Sequence, residues 1–139
     1  MKRIIRAALN FNRHILSFPA GWKVWVAALV LVNAVVPIMF LPAPEAVVTL
    51  VVFIVAIAVQ MALLDRLGFV RLLGIGHAPW LALVPWAWYR SQALPEGSWM
   101  SIWLIALVVL NTGSLVIDAV DVGRYLRGER EPYLAIDKG

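Results

Sequence analysis

Apolar residues fill four stretches of about 20 residues each along this chain, 23–41, 45–64, 70–89 and 99–118, and polar residues collect in the short segments between them. A helix needs about 20 apolar residues to cross the hydrocarbon core of a bilayer. The pattern therefore predicts an all-α integral membrane protein, a single domain built of four transmembrane helices. The first connection, 42–44, is short and proline-rich. The third, 90–98, is longer and carries Pro95 and Gly97, a turn signal. The first apolar run is too long, and starts too far from Met1, to be the core of a signal peptide, so it is expected to remain as a span.

The ends of the chain follow different patterns. In residues 2–18, Ile4, Ala8, Phe11, Ile15 and Phe18 recur at helical spacing, and Lys2, Arg3, Arg6, Asn10 and Arg13 take the opposite face. Such a segment predicts an amphipathic interfacial helix lying in the membrane plane, with Lys2, Arg3, Arg6 and Arg13 on lipid headgroups. Pro19 and Gly21 break it before the first span. At the other end, span four is expected to run on as helix to about Leu126. Gly128 is the expected stop, and residues 122–139 make a polar tail.

Charge orients this frame. Of the 12 lysines and arginines, only Arg90 falls in the third connection. The other eleven lie before span one, between spans two and three, or after span four. Short cytoplasmic loops carry the excess of positive residues, so a plasma (inner) membrane protein with both termini in the cytoplasm is expected. The net charge of +4 flanks membrane spans, which makes anionic lipid the expected partner rather than nucleic acid. Aromatic residues fit the same frame: Trp22 and Trp25 at one end of span one, and Trp86, Trp88, Tyr89, Trp99 and Trp103 at the opposite ends of spans three and four. Trp80, near mid-span, is the exception.

Little chemistry is on offer. With no cysteine there is no disulfide, thiol nucleophile or thiolate metal site. Nucleotide-binding loops, metalloprotease helices and nucleophile elbows are missing from the sequence, so no enzyme, cofactor or metal is expected. The candidates are polar residues within spans, since these are expensive in lipid and tend to carry function. Asn33, Gln60, His77, Asn111, Ser114 and Asp118 form the candidate cluster, weighted toward one half of the bilayer. His77, the only histidine in a span, is expected to face the bundle interior near Asn111 or Ser114, with a carboxylate such as Asp118 able to orient it. Asp65, Asp118 and Asp121 are expected to pair with Arg66, Arg71 and Arg124 rather than to hold a cation.

Prolines mark the irregular places. Pro37 should release the carbonyl of Asn33, and Pro79 that of Ile75. Span three, with Gly74, Gly76, Pro79 and Pro85, should be the least regular helix. Two functions suit this inventory. The leading one is non-enzymatic: helix–helix assembly, as a homo-oligomer or as a subunit of a larger membrane complex. The alternative is a small ion or proton channel, or a transporter, that uses the polar cluster.

Overall fold

A computed structural model describes residues 19–67 and 71–130. The predicted interfacial helix, with Lys2, Arg3, Arg6 and Arg13, lies outside the described residues, as does the tail beyond Arg130. Among the described residues every regular element is helical. Helix α1 covers Ala20–Val30 and continues through a π turn, Leu31–Val35, into a 3-10 turn, Val36–Phe40. Helix α2 covers Pro44–Leu67. A 3-10 segment, Arg71–His77, follows. Helix α3 covers Trp80–Gln92 and α4 covers Trp99–Leu126.

Three of these helices are long and apolar enough to cross a membrane: Ala20–Phe40, Pro44–Leu64 and Trp99–Leu126, with mean hydropathies of 2.1, 2.9 and 2.1. The predicted third span is not one continuous helix. Ala78 and Pro79 separate the 3-10 segment from α3. Proline lacks the N–H that would continue the ladder, and the carbonyl of Ile75 takes the N–H of Ala78 at 2.9 Å instead.

Local chemistry sets the helix ends. Ser98 caps α4, its hydroxyl accepting the N–H of Ser101 at 3.3 Å. Gly97 in the turn before it has φ +74°, and Gly128 after α4 has φ +108°. That left-handed region suits glycine and ends the helix close to the predicted residue.

The π turn in α1 changes which carbonyl Pro37 strands. Here the N–H of Val36 bonds the carbonyl of Leu31, five residues back. In that register the missing N–H of Pro37 falls opposite Val32, not Asn33. The indole N–H of Trp103 on α4 fills the gap, donating to the Val32 carbonyl at 2.8 Å. Trp103 is 4% exposed and stacks on Phe40 with ring centroids 5.1 Å apart. It is a core residue satisfying a backbone group, not the interfacial residue its sequence position suggested. Trp22, Trp88, Tyr89 and Trp99 are exposed, as interfacial aromatics should be.

The core gathers around α4. Leu29, Val32, Ala46, Trp80, Leu83, Ala87, Trp103, Leu104 and Leu107 form one buried cluster. Lipid tails are as apolar as these side chains, so in a bilayer close packing and interhelical hydrogen bonds, not water exclusion, must hold the helices together.

Candidate functional site

The 3-10 segment ends in Gly74-Ile75-Gly76-His77, and this short run builds the site. Nδ1 of His77 lies 2.6 Å from Oδ2 of Asp118 on α4. Nε2 of His77 lies 2.7 Å from the amide nitrogen of Gln60 on α2. One imidazole thus ties three elements together. Its ring stacks on the indole of Trp80, the first residue of α3, with centroids 4.1 Å apart and planes 18° from parallel.

The two glycines explain how three elements approach so closely. A Cβ added at Gly74 would lie 2.9 Å from Cβ and Oδ1 of Asp118. One added at Gly76 would lie 2.2 Å from Cγ of Gln60 and 3.3 Å from the Ala56 carbonyl oxygen. The two residues that bond His77 are therefore the ones that glycine makes room for.

His77 faces the interior, as the cost of an unpartnered imidazole in hydrocarbon requires. Its α4 partner is Asp118, the carboxylate expected to orient it, rather than Asn111 or Ser114. The depth count behind the latter two treated span three as a straight helix antiparallel to span four. Arg71 bonds Asp121 at 3.0 Å. From Arg71 to His77 the chain advances six residues, while the partner on α4 moves only three, to Asp118. The 3-10 segment thus does not keep the residue-for-residue register with α4 that a straight antiparallel helix would keep.

The rest of the predicted cluster divides. Asn33 and Asn111 form a reciprocal pair: each amide donates to the other's carbonyl oxygen, at 2.8 and 2.9 Å. Asn33 also donates to the Leu29 carbonyl at 2.9 Å. Ser114 is buried on α4 between Asn111 and Asp118. Gln60 and Asp118 belong to the His77 site, so the cluster is two separate constellations. Of the three aspartates, Asp121 pairs with arginine as expected, through Arg71, whereas Asp118 pairs with His77; the Asp65 side chain lies outside the described residues. Among the described residues no three His, Cys, Asp or Glu side chains stand close enough to hold a metal ion.

Two ion pairs flank these constellations. At one end Glu45, the second residue of α2, accepts a hydrogen bond from Nε of Arg90 on α3 at 2.7 Å. The Glu45 side chain is only 3% exposed. Sequence reading missed it, although Arg90 is the lone basic residue of the 90–98 connection and Glu45 stands at a helix start. At the other end Arg124 donates to Glu129 at 2.8 Å. That hydrogen bond, with the nearby guanidinium charge, holds the Glu129 carboxyl below its ordinary range.

Buried polarity is nearly complete in its pairing. Among the described residues one buried side-chain polar atom lacks a partner, the indole nitrogen of Trp80. Along α4 the order is Trp103, Leu104 and Leu107, all buried, then Asn111, Ser114 and Asp118. An apolar layer therefore separates the Glu45–Arg90 pair from the two constellations. Compared with protein-family models, with curated proteins and with solved structures, the chain matches none.

Proposed function

We propose that this is a non-enzymatic, polytopic membrane protein that acts through helix–helix assembly, as a homo-oligomer or as a subunit of a larger membrane complex. The observation that carries this reading is the mutual satisfaction of the buried polar groups. Asn33 with Asn111, His77 with Gln60 and Asp118, and Glu45 with Arg90 bond one another, and Leu104 and Leu107 interrupt them. A conduit needs polar groups directed into a continuous path. Inward pairing around an apolar layer suits a sealed bundle whose work is done on its outside.

That outside is apolar. Only 17% of an apolar 18-residue stretch within Pro44–Leu64 is buried, and Val47, Val48, Val51, Ile54 and Val55 are exposed along the helix. In this reading the protein crosses the membrane four times. Arg71–His77 and Trp80–Gln92 make up one crossing, their seven and thirteen residues rising about 14 Å and about 20 Å. Together they match a hydrocarbon core of ~30 Å. The eleven-to-one distribution of basic residues supports cytoplasmic termini in the plasma (inner) membrane, with the amphipathic residues 2–18 on anionic headgroups.

The alternative, a small ion or proton channel or a transporter, draws its support from the titratable pair His77–Asp118 beside a broken helix. The apolar layer counts against it. Photo-crosslinking tests the choice in native membranes, with a photoreactive residue at Val51 or Val55. Assembly predicts crosslinks to protein, either a second copy or a distinct subunit. Adducts to lipid alone from both positions would count against it.

A further inference from the structure

The hydrogen bonds at His77 accommodate two charge states. The Gln60 amide nitrogen faces Nε2 of the ring at 2.7 Å. An amide N–H donates, so Nε2 is the acceptor and the ring proton sits on Nδ1. From there it is donated to the Asp118 carboxylate at 2.6 Å. A second proton, arriving at Nε2, turns that acceptor into a donor. The Gln60 amide answers by turning half a revolution about its last side-chain bond, which puts its oxygen where its nitrogen was. Asp118 continues to accept on the other side. Every ring N–H has a partner in both states.

Two further features fit a cation. The indole face of Trp80 lies under the ring at 4.1 Å, the arrangement in which an aromatic face attracts positive charge. The His77 and Asp118 side chains each keep 18% exposure. Among the described side chains the neighbouring charges are otherwise engaged. On α4, Asp121 bonds Arg71 of the 3-10 segment, and Glu129 lies 3.7 Å from the same arginine. From α2 the group that meets the ring is the uncharged Gln60, while Arg66 is exposed. From α3 it is Trp80.

We propose that His77 is a proton-binding site, in which a proton added at Nε2 is held between Asp118, Gln60 and the indole of Trp80 and reverses the Gln60 amide. The proton comes from water and the only bond formed is Nε2–H. The Asp118–His77 pair passes from one net negative charge to neutral. The event is read at the contact between α2 and the 3-10 segment, because the direction of that hydrogen bond inverts. This goes beyond assembly and does not depend on it.

The test is nitrogen NMR on the full chain in lipid nanodiscs, with labelled histidine and glutamine side chains. A His14→Gln background leaves His77 as the one histidine. Titration from about pH 9 to 4 brackets the range in which imidazoles change charge. The expected result is a ring that begins with its proton on Nδ1, gains one at Nε2, and moves the Gln60 amide signals with the same midpoint. Asp118→Asn keeps the shape and a hydrogen-bond acceptor but removes the charge. It should weaken proton binding at least about tenfold, moving the midpoint about one pH unit lower. Trp80→Phe keeps an aromatic face and should move it less. Three results would overturn the proposal: a ring whose protonation does not change across the titration, a ring that titrates while the Gln60 signals stay fixed, or an unchanged midpoint in Asp118→Asn.

Discussion

Asn33 and Asn111 are fully buried, and each supplies what the other lacks. Replacing one strands the other. An unsatisfied buried amide costs roughly 1–3 kcal/mol, while hydrogen bonds between membrane helices average about 0.6 kcal/mol. The pair makes two interhelical bonds in a fully buried site, so Asn111→Leu is expected to cost about 1–2 kcal/mol of bundle stability. In the Asn33→Leu, Asn111→Leu double variant no amide is left over, and the loss should be smaller than the sum of the two single losses. A double-mutant cycle on unfolding in bicelles checks this; strict additivity contradicts it. Trp103→Phe is a finer probe. It keeps the stacking on Phe40 but removes the donor to the Val32 carbonyl. About 1 kcal/mol should be lost in the same assay, and the amide signals of the π turn should shift in the NMR spectrum.

The 3-10 segment depends on glycine. Gly76→Ala forces a methyl group to within 2.2 Å of Gln60 Cγ, a mid-chain atom hemmed in by its own helix. Overpacking of this kind costs about 1–3 kcal/mol. Gly123→Ala meets nothing within 4 Å and should be tolerated. Thermal unfolding in detergent is expected to separate the two, and equal losses would refute the close approach. Beyond α4, the lowered pKa of Glu129 means that its pairing with Arg124 favours the ordered helix end above the ordinary glutamate value of 4.5. That contribution is lost as pH falls through the folded value. The Arg124 Nε–H signal should hold its position at pH 6 and shift on acidification, as the Glu129 carboxylate is protonated. The sequence made several of these elements readable. Apolar runs of about 20 residues located the three long helices, Gly128 marked the end of α4, and the glycines and prolines of 74–85 foretold an irregular third span. Depth counting failed at His77 because it needs straight, parallel helices. The π turn was hidden because a single proline does not reveal which register its helix adopts. Glu45 was overlooked because a carboxylate at a helix start looks like ordinary capping until its partner is seen.

Across the whole molecule, polarity is arranged in tiers. The Glu45–Arg90 pair stands at one end, then the apolar layer around Leu104 and Leu107, then the Asn33–Asn111 pair, then the His77 site with Arg71–Asp121 beyond it. The long helices turn apolar side chains outward, and α1 and α2 bury little of their length. In the proposed reading the protein acts through what packs against this outer surface. Native mass spectrometry of the full chain, extracted with its own lipids into nanodiscs without prior detergent, measures this directly. The account predicts particles holding two or more 15.4 kDa chains, or one such chain with a second protein in fixed ratio. A population consisting of one chain and lipid alone, at the protein's own abundance in the membrane, would contradict it.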